Sequence, residues 1–382
     1  MRHFEEITIQ NFRGIQDLKL QGLGQINLLV GVNNSGKTSV LEAISAYCSP
    51  LDLRELVTTA RQRERENLVD RIPTLDALLW MFPQSKDVEK GTLDQSEIVI
   101  SSLGSFPVNQ LQVLYQKIEG VRFVTASSRN RRMSLSNQNL DDDEDSLQEE
   151  IQQGIDLELQ VHTNQLTSSG EKEVFTRRLQ LWERDRLVAR TGEASLNLPV
   201  YMITQFSHRT ERVQARALTE TRMSNFTAQV IHLLQKMDSG IIGLEILTPL
   251  DRPIVYVNHQ QLGLAPLSTF GDGVRRLLFI ATKLVKVRGG VLLIDEIETA
   301  IHTEALHQSF SWLIYWCREM DIQLFATTHS LEAIDVLLNA TQEENDLVTF
   351  RLERAESSTS AVRLDQYLLH TLREELGQEV RK

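Results

Sequence analysis

One segment near the start of the chain constrains its fold more than any other. Residues 31–38 read GVNNSGKT, which fits the pattern G-x-x-x-x-G-K-[ST], and they directly follow the continuous apolar run Ile26–Val30. Val40, Leu41 and Ile44 then recur at helical spacing. A buried strand, a glycine-rich turn and a helix in this order direct backbone N–H groups toward phosphate oxygens at the positive end of the helix. The sequence therefore predicts a phosphate-binding loop.

The residues of this loop have separate expected tasks. Lys37 is expected to reach the β- and γ-phosphates of a nucleotide, and Thr38 to place its hydroxyl on Mg²⁺. The other loop residues expected to contact the nucleotide are Gly31, Asn33, Asn34, Ser35, Gly36 and Ser39. ATP and Mg²⁺ are the cofactors that this pattern predicts.

Two acidic residues follow a second buried-type strand. The apolar run Val291–Ile294 ends in Asp295 and Glu296. In a parallel sheet the carboxyl ends of the strands line the ligand crevice, so both side chains are expected to face the nucleotide. Asp295 is suited to the metal shell of Mg²⁺. Glu296 is suited to act as the base that orients the attacking water.

A histidine ends the next apolar segment. Residues 322–326 lead into Thr327-Thr328-His329-Ser330. At the carboxyl end of a strand, His329 is expected to hydrogen-bond the γ-phosphate and to act in catalysis. A lone histidine there is more often part of a helix-capping turn, but its order after the phosphate loop and the acids favours the functional interpretation.

The rest of the chain divides into a regular and an irregular part. Alternating strands and helices after residue 200 predict a largely parallel α/β sheet, with one long amphipathic helix at residues 219–237. The middle of the chain predicts short strands at 97–101, 112–115, 121–125 and 157–161. Residues 171–190 mix basic and acidic side chains and are expected to form an exposed helix face, whereas the charged residues near 129–150 are typical of a solvated loop.

Composition limits the partners of the chain. The 52 acidic and 40 basic residues give a net charge of −12, so a generally basic nucleic-acid coat is excluded and any DNA contact has to be local. The basic residues available for such a contact are Arg129, Arg131, Arg132, Lys172, Arg177, Arg178, Arg184, Arg186 and Arg190. Two cysteines build no disulfide framework. No signal peptide and no apolar stretch of about 18 residues is evident, so we expect no membrane contact and a cytoplasmic location.

Four segments in order carry a family resemblance. They read ITIQNFRGI, INLLVGVNNSGKTSVLEAI, LLIDEIETAIHTEAL and LFATTHS. Together they resemble the ABC-type ATPase heads of the SMC/RecF/OLD group, and in particular stand-alone AAA-type ATP-binding proteins related to the OLD ATPase. The resemblance implies a P-loop NTPase fold of class α/β, with a mixed sheet flanked by helices. It implies a head formed by residues 1–50 and 200–382, with an α+β lobe inserted at 51–199.

The resemblance also implies that a second head closes each ATP site with a signature loop, usually LSGGQ. The candidate here is the segment 267–276, LSTFGDGVRR, which departs from that pattern. Either Ser268 acts as the signature serine, or Gly271 takes its place with backbone amides, and Gly273 belongs to the same loop. Arg13 corresponds to a position near the nucleotide, and Gln205 to a residue that senses metal and water. Glu298 and His302 correspond to a segment at the head–head interface.

One phosphate loop and one signature candidate, without an internal repeat, cannot complete two composite sites. If the signature loop acts in trans, we therefore expect a homodimer, a heterodimer or a higher oligomer. Residues 330–382 are too few for the Toprim nuclease of OLD enzymes, so the resemblance implies a separate effector such as a nuclease, in phage defence or plasmid-related systems. The predicted function is ATP hydrolysis whose nucleotide-dependent dimerisation regulates this effector or nucleic-acid engagement. Two alternatives stay open: a nucleotide-gated scaffold with negligible turnover, and direct DNA binding.

Overall fold

The computed structural model describes residues 2–64, 72–84, 95–125, 147–166, 172–183, 196–211, 213, 215–341, 346–355 and 358–381. The strands are β1 (Glu6–Phe12), β2 (Ile15–Gln21), β3 (Ile26–Val30), β4 (Gln95–Leu103), β5 (Val108–Thr125), β6 (Leu147–Leu166), β7 (Lys172–Trp182), β8 (Val200–Ile203), β9 (Ile241–Leu247), β10 (Ile254–His259), β11 (Gly263–Pro266), β12 (Val291–Ile294), β13 (Gln323–Thr327), β14 (Leu347–Arg354) and β15 (Thr359–Asp365). The helices are α1 (Lys37–Cys48), α2 (Leu53–Ala60), α3 (Thr74–Leu79), α4 (Ser207–Thr210), α5 (Ala215–Met223), α6 (Thr227–Gln235), α7 (Asp272–Lys286), α8 (Thr303–Glu319), α9 (Leu331–Ala340) and α10 (Gln366–His370).

The central sheet has the strand order β15-β14-β3-β13-β12-β8. Its strands are parallel except β15, which pairs with β14 antiparallel. Every residue of β3 and β12 is buried, as expected for strands covered on both faces. The predicted α/β class with a mixed sheet flanked by helices is confirmed. Because β3, β8, β12 and β13 run in parallel, their carboxyl ends meet at one edge of this sheet.

A second, antiparallel sheet packs over helix α1. Its order is β2-β1-β4-β5-β6-β7, so strands on both sides of residue 50 share one sheet. One apolar cluster joins Ile9 of this sheet, Val40 and Leu41 of α1, and Leu293 and Phe325 of the central sheet. Helix α1 is therefore enclosed between two sheets, which fixes the loop at its amino end. The division into a head and a lobe inserted at 51–199 stays a prediction.

Two local predictions were wrong. The single helix predicted at 219–237 is broken, because Asn225 adopts φ of 55° between α5 and α6. Residues 172–182 form strand β7 rather than a helix face, since Phe175, Leu179 and Leu181 alternate with polar residues. The strands predicted at 112–115 and 121–125 are confirmed, and both lie within the single strand β5.

The basic residues 129–132, the acidic run 141–145, and Arg184, Arg186 and Arg190 lie outside the described residues. A separate three-stranded sheet, β11-β10-β9, leads into α7. Among the described helices, none is both long enough and apolar enough to cross a bilayer.

Candidate functional site

The phosphate loop lies between the carboxyl end of β3 and the start of α1. Gly31 has φ of 148°, and a Cβ there would lie 2.7 Å from both the Leu352 carbonyl oxygen and Ser35 Oγ. A side chain at this position would therefore displace the loop from its neighbouring strand. Lys37 Nζ donates hydrogen bonds to the carbonyl oxygens of Gly31 (2.9 Å) and Val32 (3.0 Å), which curls the loop around the ammonium group. Burial lowers the pKa of Lys37, and nearby carboxylates oppose that shift.

The loop meets the first acidic residue directly. Thr38 Oγ1 donates to Asp295, at 3.1 Å from Oδ2 and 3.3 Å from Oδ1. Asp295 is buried, and its backbone N–H donates to the Ile203 carbonyl at the end of β8. A hydroxyl beside a carboxylate is the small oxygen ligand set with which proteins hold Mg²⁺ next to nucleotide phosphates. The chemistry of this pair thus fits the predicted ion.

The second acid has an unusual backbone. Glu296 has φ of 49°, a left-handed conformation that is uncommon for residues other than glycine. Its N–H donates to Thr327 Oγ1 (2.8 Å), and its Oε2 accepts a hydrogen bond from Thr299 Oγ1 (3.2 Å). Neighbouring elements therefore hold both its backbone and its side chain, as expected where an unfavourable conformation serves a function.

A cavity of about 520 Å³ joins the predicted residues. Those that line it are Asn33, Asn34, Ser35, Gly36, Lys37, Thr38, Ser39, Gln205, Asp295, Glu296 and His329. Gln205 follows β8 and His329 follows β13, so their positions come from the parallel sheet. The His329 N–H donates to Glu298 Oε1 (3.1 Å), which ties this residue to the loop after the acids.

The same cavity contains residues that sequence reasoning missed, namely Glu42, Gln62, Arg63 and Thr204. Glu42 is fully buried on α1, one turn after Thr38. Arg63 donates to Glu42 through Nε (2.9 Å to Oε1) and to Ser39 Oγ (2.8 Å). An acidic residue among the apolar positions of α1 was the available signal for Glu42. No motif marks Arg63.

Arg13 lies beside this cavity rather than in its lining. Its Nε is 2.7 Å from Glu42 Oε2, so Glu42 holds both Arg13 and Arg63. Arg13 and Arg63 line a second cavity of about 520 Å³ together with Ile15, Trp80 and other residues. Arg63 therefore lies in both cavities, and Arg13 reaches the phosphate site through the shared carboxylate.

The signature candidates Ser268, Gly271 and Gly273 do not line the phosphate cavity. They lie at the amino end of α7, where Ser268 and Gly271 are exposed. Gly273 has a packing role, since a Cβ there would come within 2.5 Å of Met237 Cε and 2.9 Å of the Ala300 carbonyl oxygen. This close approach sets the start of α7 against the loop that follows Glu296.

A buried arginine joins α7 to the site. Arg276 is fully buried and donates to four carbonyl oxygens: Thr204 (2.9 Å), Gln205 (3.3 Å), Asp295 (3.2 Å) and Glu296 (2.8 Å). Burial lowers the pKa of Arg276 to about 10, which leaves it charged at neutral pH. One guanidinium thus joins the ends of β8 and β12.

A buried histidine next to this arginine should make stability depend on pH. Burial, followed by the charge of Arg276, lowers the pKa of His208 from 6.5 to about 4. Because the pKa of His208 is lower in the folded state than in the unfolded state, protonation of His208 favours unfolding. The contribution of neutral His208 to the free energy of unfolding is fully present above about pH 6.5 and is lost as the pH falls toward 4. We expect the unfolding temperature to fall less between pH 7 and pH 4.5 in His208→Leu than in the parent. An equal fall in both proteins would contradict this.

Two of the described basic residues in the stretch 171–190 are engaged in contacts. Arg177 Nη1 donates to the Leu51 carbonyl oxygen (2.7 Å), and Arg178 forms an ion pair with Glu158. The first contact ties β7 to the turn between α1 and α2, the second ties it to β6, and both reduce the charge available to a phosphate backbone.

Similarity to known proteins shows to which family the chain belongs. The protein-family model described as "AAA domain, putative AbiEii toxin, Type IV TA system" matches residues 137–335, which is more than half of the chain. The chain belongs to this AAA-domain family. A second model, described as "AAA ATPase domain", matches residues 3–190. The protein is thus an AAA-domain ATPase, and the predicted AAA-type ATPase is confirmed.

Individual relatives of this AAA-domain ATPase are distant or match over short segments. An "ATP/GTP phosphatase" of Helicobacter pylori is 19% identical over 353 residues, covering 89% of each chain. The uncharacterized Methanocaldococcus jannaschii protein MJECL10 is 56% identical over 45 residues, so the match spans only 20% of that relative. The Pyrococcus furiosus Smc head domain, bound to the C-terminal domain of ScpA, superposes with a TM-score of 0.50 at 10% identity, over 99% of this chain and 100% of that one. This last similarity is one of fold.

Proposed function

We propose that the chain hydrolyses ATP in the phosphate cavity. The observation that carries the proposal is the contact of Thr38 with Asp295, because it joins the phosphate loop to the acidic strand end. Lys37 and the loop amides bind the β- and γ-phosphates, with Gly31, Asn33, Asn34, Ser35, Gly36 and Ser39 forming the cradle. Thr38 and Asp295, together with Gln205, hold Mg²⁺, which neutralises developing charge on the phosphates when bound.

The chain's own groups supply the remaining chemistry. Glu296 accepts a hydrogen bond from the attacking water and orients it, and the Thr299 hydroxyl keeps its carboxylate in place. His329 donates to the γ-phosphate from the carboxyl end of the neighbouring strand β13. Arg13 acts indirectly, since it orients Glu42 and through it Arg63 at the rim of the cavity.

We also propose that two copies of the chain close each site, with the signature loop of one copy facing the phosphate cavity of the other. The exposure of Ser268 and Gly271 away from their own cavity supports this arrangement. In this arrangement either residue would meet the γ-phosphate bound to the second copy. The dimer forms when ATP is bound and dissociates after hydrolysis.

Gly271→Arg should abolish nucleotide-dependent dimerisation. Gly271 has φ of −60° and open space around its Cβ position, so the fold accepts a side chain that would block the dimer face. Light scattering after size exclusion should show a doubled mass for the parent with Mg²⁺ and ATPγS but not with ADP, and a monomer for the variant in both cases. An unchanged unfolding temperature serves as the folding control. A variant that still dimerises would place the interface elsewhere.

The biological output that we propose is regulation of a separate effector, such as a nuclease, by the ATP-bound dimer, in defence against phage within the cytoplasm. The second candidate is a nucleotide-gated scaffold with negligible turnover, which the irregular signature loop favours. Steady-state phosphate release distinguishes them, because the scaffold predicts no sustained release under conditions where ATP is bound. Adding DNA to the same assay tests nucleic-acid engagement, which should weaken steeply with salt if it is electrostatic.

A further inference from the structure

One hydroxyl contacts both acidic residues of the site. Thr327 ends strand β13, between β3 and β12, and its side chain is fully buried. Its Oγ1 donates to Asp295 Oδ1 at 2.6 Å and accepts a hydrogen bond from the Glu296 N–H at 2.8 Å. Thr327 does not line the phosphate cavity, so it acts through the two acids.

The geometry points to Thr327 as the positioning residue that sets the orientation of the Asp295 carboxylate and the backbone of Glu296 at the same time. This inference rests on the proposed roles of the two acids. A side chain outside the cavity, that of Thr327, thus links metal binding by Asp295 to the orientation of the attacking water by Glu296.

The direction of both hydrogen bonds is fixed by chemistry. A threonine hydroxyl has one proton to donate and lone pairs to accept with, whereas an ionised carboxylate only accepts and a backbone N–H only donates. The Thr327 proton must therefore point to Asp295, and its lone pair to the Glu296 amide. Hydrogen bonds of this kind are directional, so a single rotamer satisfies both.

For Asp295, one of the two carboxylate oxygens contacts Thr327. Oδ1 accepts the 2.6 Å hydrogen bond from Thr327 and lies 3.3 Å from Thr38 Oγ1, while Oδ2 lies 3.1 Å from Thr38 Oγ1. Without Thr327, the carboxylate would keep the longer Thr38 contacts but could rotate about its χ2 angle, which is a soft torsion. The oxygen offered to the metal ion would then no longer be fixed.

The consequence for Glu296 concerns its strained backbone. Its φ of 49° is held by the Thr327 hydroxyl on the amide and by Arg276 on the carbonyl oxygen, at 2.8 Å each. Removing the first contact leaves a part-buried N–H without this partner and lets the peptide relax toward the ordinary helical or extended region. The water-orienting carboxylate would move with it.

Thr327→Val tests this inference because valine keeps the shape of threonine and removes only the hydroxyl. Thr327→Ser restores the hydroxyl and should rescue function. Thr349→Val is the matched control: Thr349 is fully buried in β14 of the same sheet, and its hydroxyl has no hydrogen-bond partner among the described residues. The three variants separate the hydrogen bonds from the general effect of a Thr-to-Val change in this sheet.

Two measurements are needed. The first is steady-state ATP hydrolysis over a range of ATP and Mg²⁺ concentrations. The second is Mn²⁺ affinity of the complex with a non-hydrolysable ATP analogue, followed by electron paramagnetic resonance. For Thr327→Val we expect kcat to fall about 10- to 100-fold and Mn²⁺ affinity to fall about 10-fold, the usual range for removing a partner of a metal ligand. The affinity for nucleotide without metal should change less than about twofold, because Lys37 and the loop are untouched.

Thr327→Ser should stay within about threefold of the parent in both measurements, and Thr349→Val should match the parent. Equal losses in the Val and Ser variants would show a packing role and overturn the inference. So would parental kcat and Mn²⁺ affinity in Thr327→Val, provided that Glu296→Gln still abolishes turnover. If Glu296→Gln also hydrolyses ATP normally, the proposed site itself is wrong, so the two failures are distinguishable.

Discussion

Glu296→Gln should lower the ATP turnover of this protein by at least about 100-fold while leaving ATP binding intact, since general-base assistance contributes about 10²–10⁴ in rate. Glutamine keeps the size of the side chain and an amide oxygen that accepts the Thr299 hydrogen bond. It removes only the carboxylate that would orient the attacking water. The measurement is steady-state phosphate release, with nucleotide affinity determined in parallel.

Two further variants test the same site. Lys37→Ala should lose nucleotide binding itself, because Lys37 is the buried cation of the phosphate loop. Thr299→Val should reduce turnover less than Glu296→Gln, since it removes only one support of the carboxylate. A Glu296→Gln protein with the parental rate would refute the assignment of the water-orienting base. Unchanged nucleotide affinity in Lys37→Ala would move the site away from this loop.

These outcomes also discriminate between an enzyme and a scaffold. A scaffold that binds ATP without sustained turnover would show the same low phosphate release in the parent and in Glu296→Gln. An ATPase shows a difference between them. The positive φ of Glu296 and its three supporting contacts favour the enzyme, because an unfavourable backbone conformation is retained where it positions a reacting group.

The parts of the site that the sequence predicted are those carried by local chain geometry. The loop at 31–38 and the acids after Val291–Ile294 each lie at a strand end, and parallel strands bring their carboxyl ends together. His329 was predictable for the same reason. These segments line one cavity because the order of the strands brings their carboxyl ends together. The alternation of strands and helices in the sequence predicts a parallel sheet of this kind.

The remaining parts depend on contacts between distant segments, which no local pattern reports. Arg276 reads as one more basic residue on an amphipathic helix, yet it is fully buried against two strand ends. Arg63 reaches Glu42 from another element. The break at Asn225 was missed because helical spacing continues on both sides of a single left-handed residue. Strand β7 was not predicted because its charged residues obscure the alternation of apolar and polar side chains at every second position.

Arg276→Met should cause the largest loss of stability among the variants considered, about 3–5 kcal/mol in the free energy of unfolding, as is typical when one partner of a buried charged network is removed. Methionine fills a similar volume but removes a donor from four carbonyl oxygens at the ends of β8 and β12, of which those of Thr204 and Glu296 keep a backbone N–H donor. Arg276→Lys should recover only part of the loss, because a single ammonium group lacks the planar fork that reaches both strand ends. Urea unfolding of the three proteins measures the order.

Arg275→Met is the matched control, since Arg275 occupies the next position of α7 but is partly exposed and pairs with Asp272. Its loss should cost no more than about 1 kcal/mol. Three of the four carbonyl oxygens belong to Gln205, Asp295 and Glu296, so a folded Arg276→Met protein should also hydrolyse ATP more slowly. Arg275→Met tests only stability. If Arg276→Met unfolded at the parental urea concentration and kept parental turnover, Arg276 would contribute to neither stability nor catalysis. The sheet alone would then hold the ends of β8 and β12.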